Sequence, residues 1–273
     1  MTERIELRHV AAQPRYVRMR EPCGADELAL AGVDSRAAVQ LLDRLLEAAP
    51  CSAALMSASD RDRLLASLHR ALWSDRIVST LECAACGAKY DLAFELSTLQ
   101  RQLHDGMEAV RVVGARAVED GQGQRFDLPS LDDEEAAAMS GLIAGGRQLG
   151  AVIAGSGKVD ADRKLEPGQD ADNDNDADAQ PRADLDALGA RLDVLAPLLD
   201  VDLDTRCVEC GTAHVARFDI QSFVLQRLLD ERPSVLGDVH ALAGGYGWSL
   251  QDIVGLPRSL RRSLVQRVAG RAP

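Results

Sequence analysis

Four cysteines of this chain stand in two Cys-x-x-Cys-Gly motifs, and their type and spacing are those of metal ligands. The motifs occupy residues 83–87 and 207–211, an offset of 124 positions from Cys83 to Cys207. A Cys-x-x-Cys turn presents two thiolates to one ion, and zinc prefers four ligands in a tetrahedron. Two such turns that face each other would complete a four-thiolate site from Cys83, Cys86, Cys207 and Cys210.

The residues around both motifs alternate between apolar and polar side chains, which is the pattern of a half-buried strand. The apolar members are Tyr90, Leu92, Phe94 and Leu96 after the first motif, and Leu199, Val201 and Leu203 before the second. A strand, a cysteine turn and a second strand, present twice, predict a zinc ribbon whose halves are separated by a long insertion. Because four cysteines leave no open ligand position, we expect one Zn²⁺ with a structural role.

Other uses of paired cysteines remain as alternatives. A redox dithiol has the same motif, but no βαβ pattern surrounds it here. An iron–sulfur cluster also takes four thiolates, although glycine-containing turns in hairpins suit zinc better. His214 lies close to Cys210 in sequence, but the cysteine set is already complete, so we interpret it as a surface or strand histidine. Cys23 and Cys51 are expected to be free thiols.

Composition narrows the classes of function. Of the 273 residues, 46% are hydrophobic but only 3% are aromatic, so Leu, Val and Ala should form the core. The formal net charge of −12 argues against a general nucleic-acid binder, which needs a basic surface. The N-terminal residues lack the apolar core of a secretion signal, and no apolar run reaches the roughly 18 residues of a membrane span. We therefore expect a location in the reducing cytoplasm and no membrane partner.

The periodicity predicts an α+β fold. Two diverged units, each with a hairpin and helices, should be joined by the split four-cysteine zinc ribbon and followed by a C-terminal helical unit. Hairpins are predicted in residues 4–20 and 108–128. Helix starts are predicted at Asp34 or Ser35, at Ser59 with Asp62, at Ser130 with Asp133, at Ser234, and at Ser249 with Asp252. The pair Gly244-Gly245 should break the helix that begins at Ser234.

This pattern divides the chain into five parts. Residues 1–105 hold the first hairpin, helices and half-ribbon, and residues 106–154 hold the second hairpin and helix. Residues 155–182 form an acidic insert, 183–230 carry a helix and the second half-ribbon, and 231–273 form the C-terminal helical unit. Pro22 and Asp26 align with Pro129 and Asp133 at an offset of 107, which indicates a diverged duplication. The alternative is that hairpins followed by capped helices are simply common.

The acidic insert has almost no apolar residues and is expected to be disordered. Its start resembles a phosphate loop at residues 155–158, but Val152 and Val159 stand where that loop needs Gly and Ser or Thr. Its Asp/Asn alternation resembles a calcium loop, but Asn175 and Pro181 replace the required Gly and Glu. We therefore predict neither nucleotide nor calcium binding there.

Three stretches together resemble the baseplate hub assembly chaperone family of T-even-type contractile-tailed phages and of related phage tail-like contractile injection systems. They are residues 72–77, 207–223 and 239–257. The third is the most specific, with a helix, then Tyr246-Gly247-Trp248-Ser249, then a short helix that ends at Leu256-Pro257. The resemblance covers most of residues 60–105 and 125–268, and it departs from the family pattern at Gly244-Gly245.

The resemblance implies a non-enzymatic, zinc-stabilised assembly factor that binds baseplate hub or tail-spike proteins. The implied location is the cytoplasm of the producing bacterium, with retention in a tail-like particle left open. No small-molecule substrate and no catalytic residue are expected, since no catalytic constellation is evident in the sequence. The candidate partner-binding residues are Tyr246, Trp248, Arg258, Arg261 and Arg262, because aromatic and arginine side chains anchor interfaces. The alternatives are a nucleic-acid-binding regulator and a thiol oxidoreductase.

Overall fold

The structure, a computed structural model, describes residues 4–11, 15–105, 110–114, 116–140, 149, 152–153 and 189–270. These residues combine helices with small antiparallel sheets, which confirms the α+β class. The acidic insert lies outside the described residues. The five-part division of the chain and the duplication stay predictions. Within the described residues, no helix is long and apolar enough to cross a membrane.

The strands and helices follow one another in short segments. The strands are β1 (Ile5–Glu6), β2 (Tyr16–Met19), β3 (Leu46–Ala48), β4 (Arg76–Glu82), β5 (Lys89–Glu95), β6 (Arg111–Val112), β7 (Ala117–Glu119), β8 (Arg125–Asp127), β9 (Asp200–Arg206) and β10 (Ala213–Asp219). The numbered helices are α1 (Gly24–Ala29), α2 (Ser35–Leu45), α3 (Ala58–Leu72), α4 (Leu96–Asp105), α5 (Leu131–Met139), α6 (Ile220–Asp230), α7 (Arg232–Tyr246), α8 (Leu250–Val254) and α9 (Arg258–Ala269). A short 3₁₀ turn spans Ala53–Leu55, and residues 189–195 are helical.

The main core surrounds α3. Leu64, Leu65 and Leu68 on this helix are completely buried, and they pack with apolar residues of the β1–β2–β3 sheet, α2, α4 and α6. The predicted hairpin in residues 4–20 is present as β1 and β2, with β3 as an added third strand. Asp34 caps α2 as predicted, since its side chain accepts a hydrogen bond from the Ala37 backbone. The apolar stripe of α2 faces the same core.

The prediction that Ser59 caps α3 is wrong. Ser57 is the cap, and its side chain accepts a hydrogen bond from the Asp60 backbone at 3.1 Å. Ser59 and Asp62 instead point across the core to the chain before β9. The Ser59 hydroxyl donates to the Pro197 carbonyl at 2.8 Å, and Asp62 accepts from the Leu199 backbone at 2.9 Å. These bonds fix where the second half-ribbon begins.

The region predicted as one hairpin is a three-stranded sheet of order β6–β7–β8. A turn at residues 120–123 joins β7 to β8, and β6, which carries Val112, is a separate strand beside β7. Ser130 and Asp133 form the predicted capping box of α5. Cys23 and Asp26, 107 positions earlier, form the same kind of box at α1. The offset found in the sequence thus corresponds to equivalent local geometry.

The two half-ribbons repeat with the offset of 124. β4 and β5 pair in register from Arg76↔Glu95 to Glu82↔Lys89, and β9 and β10 pair from Asp200↔Asp219 to Arg206↔Ala213. Each hairpin passes directly into a helix, α4 after the first and α6 after the second. The alternation predicted from the sequence is therefore confirmed in both halves, because the side chains of one face of each hairpin are buried or half-buried.

The C-terminal helices differ from the prediction in two places. Ser234 is not a cap, because α7 begins at Arg232 with Glu231 in the capping position. Gly244-Gly245 does not break the helix either, since α7 continues to Tyr246 and ends at Gly247, whose φ is 70°. A Cβ on Gly245 would lie 2.9 Å from Val268 of α9, so this glycine allows the two helices to approach closely. Ser249 caps α8 as predicted.

Two of the α9 arginines predicted to bind a partner are buried, whereas Arg262 and Arg267 are exposed. Arg258 and Arg261 are 3% and 1% exposed, and both form ion pairs with the buried Glu27 of α1. Arg258 also pairs with Glu231, and the Arg261 Nε lies 3.0 Å from Asp238. Each cation is compensated by more than one carboxylate, which the burial of a charge requires.

Asp62 makes a pH-dependent contribution to stability that a substitution should expose. Burial raises its pKa from 3.8 to about 7. The folded protein therefore binds this proton more tightly than the unfolded chain, so the wild type loses stability as the pH rises from about 4 to about 7.

Asp62→Asn keeps an oxygen that can accept from Leu199 but removes the ionisable group. We expect the variant to exceed the wild type in melting temperature at pH 8, with the difference disappearing toward pH 4. Circular dichroism melts across this range measure it. A variant that is less stable at pH 8 would contradict this explanation.

Candidate metal centre

The four cysteines lie in the turns at the ends of the two hairpins. In the first turn, the Gly87 backbone donates to the Cys83 carbonyl at 2.8 Å, and the Cys83 backbone donates to the Ala88 carbonyl at 2.9 Å. Gly211 and Cys207 make the corresponding contacts in the second turn, each at 2.9 Å. Gly87 and Gly211 have φ values of 71° and 72°, a left-handed conformation that favours glycine. The motif therefore needs its glycine to close the turn under both thiols.

The sulfur atoms converge on one point. The four Sγ atoms lie within 4.8 Å of one another, with Cys83–Cys210 at 3.6 Å and Cys86–Cys207 at 3.7 Å. A tetrahedron with metal–sulfur bonds of about 2.3 Å has sulfur–sulfur edges of about 3.8 Å. The spacing matches that of four thiolates around one ion, so the four cysteines could hold a metal ion, as the sequence predicts. Cys23 and Cys51 are free and lie elsewhere.

The electrostatics of the cluster favour a bound cation. The Thr212 hydroxyl, together with the Thr212 backbone, lowers the pKa of Cys210 to about 6. The Ala88 backbone lowers the pKa of Cys86, but the thiols of Cys210 and Cys83 oppose this and raise it to about 12. Neighbouring thiolates repel each other, so one can ionise only at the expense of another. A metal ion provides the positive charge that allows all four to ionise.

His214 has a place at the centre that the sequence interpretation missed. It projects from the inner face of β10, and its Nε2 lies 3.1 Å from the Cys83 Sγ of the other hairpin. A metal-bound thiolate only accepts hydrogen bonds, so the Nε2–H of His214 can donate to it. This contact lowers the negative charge on the sulfur and orients it. The available signal was the alternation of β10, which places His214 on the same face as Phe218.

The two hairpins also contact each other away from the cysteines. The Phe94 and Phe218 rings, which correspond at the 124 offset, pack edge to face with centroids 5.0 Å apart. Tyr90 corresponds in the same way to His214, and these rings lie 6.3 Å apart. Cys83, Tyr90 and Cys207 are buried together, whereas Cys86 and Cys210 are exposed. The centre therefore has an interior side held by aromatic contacts and an exterior side open to solvent.

The candidate partner-binding residues do not form one exposed surface. Tyr246 and Trp248 stack with centroids 4.9 Å apart, and Trp248 is 39% exposed. Arg262 remains accessible, with an ion pair to Glu231 at 3.1 Å. Arg258 and Arg261 lie inside the protein and are not available to a partner in this structure. A role in partner binding for Tyr246, Trp248 and Arg262 stays a prediction.

Comparison of the chain with protein-family models, with curated proteins and with solved structures gave no significant match.

His214→Phe tests the second-layer contact at the centre. Phenylalanine keeps the ring beside Tyr90 but removes the N–H donor to Cys83. We expect the variant to fold and to release its metal at about tenfold lower chelator concentration than the wild type, the size of effect typical for outer ligand contacts. Titration with a chelating dye measures it. The control is His240→Phe, at an exposed position of α7, and equal release by both variants would exclude the role of His214.

Proposed function

We propose that this protein is a non-enzymatic assembly factor for the baseplate hub of a contractile phage tail or tail-like injection system, and that one structural Zn²⁺ stabilises it. The observation that carries the structural role of the metal is the four-thiolate cluster itself. Four thiolates would fill the tetrahedral positions around one ion, and a metal without an open position supports structure. The cluster brings together chain segments 124 positions apart, as expected for a metal that links distant parts of the fold.

The assignment to hub assembly rests on the resemblance of the three stretches to the chaperone family. The fold places the first of them next to the region of the third. The Trp73 indole of the first stretch donates to Glu231 at 2.7 Å and lies beneath the Arg258 guanidinium. These two residues flank the third stretch, residues 239–257. Trp73 of the first stretch therefore contacts the residues on either side of the third stretch, which supports a structural connection between the two regions.

The nucleic-acid alternative has lost most of its support. It depended on the zinc ribbon and on the arginines of residues 258–271, of which Arg258 and Arg261 are buried. The net charge of −12 also disfavours a phosphate backbone. The thiol oxidoreductase alternative depends on thiols that carry no metal, so metal analysis decides it.

Zinc content is the first test. Four thiolates favour Zn²⁺ over hard cations such as Mg²⁺ or Ca²⁺. We expect one zinc per chain in purified protein. Cys86→Ser should lose the zinc and lower the melting temperature, because metal binding also contributes to folding. Cys86 is exposed, so the substitution creates no buried cavity.

Elemental analysis and thermal melts measure both effects. Cys51→Ser, which removes a free thiol outside the cluster, is the control and should keep its zinc. Protein that contains iron, no metal or two zinc ions per chain would refute the single zinc site.

Co-expression tests the assembly function. We expect the wild type to increase the soluble yield of a baseplate hub or tail-spike protein from the same genome and to co-purify with it. Tyr246→Ala with Arg262→Ala should remain folded but lose this effect, because the half-buried Tyr246 and the exposed Arg262 both reach the surface of the C-terminal unit.

The control is Tyr16→Ala with Arg101→Ala, a matched pair at exposed positions of β2 and α4. Soluble yield and pull-down measure the result. If the wild type binds no tail component yet shifts DNA at physiological salt, the regulator alternative replaces the assembly function.

A further inference from the structure

A cavity of about 390 Å³ lies between the start of α3 and the bases of β9 and β10. Its apolar wall includes Leu128, Ile153 and Ala196, which belong to a cluster of buried residues separate from the main core. Within the part of the chain that the structure describes, no residue of the metal centre or of the C-terminal unit lines it. Its volume falls in the range of small-molecule binding sites, roughly 300 to 1,000 Å³.

Most of the charged residues of the cavity are acidic. Five carboxylates line it, those of Asp62, Glu134, Asp193, Asp200 and Asp219. The one cation in the lining is Arg61, and it is already paired with Glu134. Asp200 is paired with Arg217, which lies outside the lining. The other three carboxylates form no ion pair with the described residues, so the cavity carries an excess of negative charge.

Asp62 is the most deeply buried of these three unpaired carboxylates, since it is 9% exposed. One of its oxygens accepts a hydrogen bond from the Leu199 backbone at 2.9 Å. The other oxygen accepts none from the described residues, and it is not fully enclosed by protein atoms. A buried carboxyl group either loses its charge or needs a positive partner. Asp62 therefore presents an unsatisfied acceptor in a cavity that contains no free cation.

The surroundings of Asp62 increase its need for a positive partner. Burial raises its pKa to about 7, and the nearby carboxylates of Asp219 and Asp200 add to the increase. The Leu199 backbone and the Arg61 guanidinium oppose this increase without cancelling it. A positive charge beside Asp62 would favour its ionised form and relieve the repulsion among the carboxylates.

Geometry favours an organic cation over a metal ion. Among the described residues, the four cysteines are the one group of three or more potential ligands whose atoms lie within 4.8 Å of one another. The carboxylates of the cavity therefore do not converge as the oxygen ligands of a hard divalent cation must. The apolar side chains beside them, such as Leu128, Ile153 and Leu192, would instead contact a hydrocarbon body.

We propose that this cavity binds a small organic cation, an amine whose ammonium group pairs with Asp62 and whose apolar body packs against Leu128, Ile153 and Leu192. Charge complementarity selects this occupant, because the cavity has three carboxylates without an ion pair and no arginine or lysine without one. The inference goes beyond the proposed assembly function and does not depend on it.

The test compares three probes of similar shape on the full-length chain: cyclohexylmethylamine, cyclohexylmethanol and cyclohexanecarboxylate. Isothermal titration calorimetry at about pH 8, where Asp62 is ionised, measures their binding. We expect a dissociation constant on the order of 1 mM for the amine, as is usual for a ligand of about eight heavy atoms. The alcohol and the carboxylate should bind at least about tenfold more weakly, because neither can form the ion pair.

Asp62→Asn removes the charge but keeps an oxygen that can accept from Leu199. It should weaken amine binding by about tenfold and leave binding of the alcohol unchanged. The matched control is Asp202→Asn, which removes an exposed carboxylate of β9 outside the cavity and should bind the amine like the wild type.

A second pair of variants adds a competing cation. Leu198 lines the cavity and is 37% exposed, so Leu198→Lys should be tolerated and should reduce amine binding by about tenfold. Leu236→Lys is its control, at a position of α7 that is 53% exposed and outside the cavity. The far-ultraviolet circular dichroism spectrum of each variant confirms that the fold is kept.

The pH dependence separates an ion pair with Asp62 from a purely structural role. The charged groups that face Asp62 across the cavity are Arg61, Glu134, Asp193, Asp200 and Asp219, and Arg63 and His104 lie on its other side. Burial lowers the pKa of His104 to about 4, so this histidine stays neutral near pH 7. Amine binding should therefore weaken from about pH 8 to about pH 6 in the wild type, as Asp62 takes up its proton, but not in Asp62→Asn.

Two outcomes overturn the proposal. Either the amine binds no more tightly than the alcohol, or Asp62→Asn and Asp202→Asn bind it equally. Two further outcomes assign the cavity to another occupant and also refute it. Displacement of the amine by an equal concentration of Mg²⁺ would show a metal site, and displacement by a purified hub protein would show that a basic side chain of a partner fills the cavity.

Discussion

The mutual repulsion of four ionised thiolates is the constraint on which the arrangement of this protein depends. Two hairpins of seven-residue strands meet at their tips, and each tip carries two sulfur atoms. An isolated two-stranded hairpin is marginally stable in water, and crowded thiolates would drive the tips apart. A cation bound among the sulfur atoms would attract all four thiolates. It would thereby hold together chain segments that are far apart in sequence.

The cysteine turns at the tips could not align the hairpins alone. Contacts with the core fix the hairpins at their opposite ends. Ser59 and Asp62 on α3 hold the chain at Pro197 and Leu199, directly before β9. The buried His9 adds a third tie, since its Nε2 lies 3.2 Å from the Leu195 carbonyl. The base of the second hairpin is thus fixed to the same helix that leads into the first. A metal ion held by the four cysteines would then join two arms whose bases are already positioned.

Local patterns in the sequence predicted what depends on local physics. The cysteine turns, the alternation in the hairpins and the caps at Asp34, Ser130 and Ser249 each involve residues a few positions apart, and the structure confirms them. The errors share a different cause. Ser59 has the right spacing for a cap, but its hydroxyl binds Pro197, 138 positions away.

The charged residues of α9 show the same limit. Arg258 pairs with Glu27 across 231 positions, so no helical pattern could show that this arginine is buried. Gly245 was predicted to break α7, although its role is to admit Val268 of α9. His214 alternates correctly on β10, but its contact with Cys83 depends on how the hairpins face each other. Contacts between distant segments therefore decided each residue that the sequence alone misplaced.

Trp73 connects helix α6, which follows the second hairpin, with the buried ion pairs of the C-terminal unit. Its ring lies between the guanidinium groups of Arg227 and Arg258, at 4.4 and 5.4 Å, and its indole N–H is bound by Glu231. Arg227 lines a groove between the two hairpins, while Glu231 and Arg258 form one of the ion pairs of the C-terminal unit. Because Arg258 is itself fixed by Glu27 and Glu231, it holds the Trp73 ring on the side of the C-terminal unit.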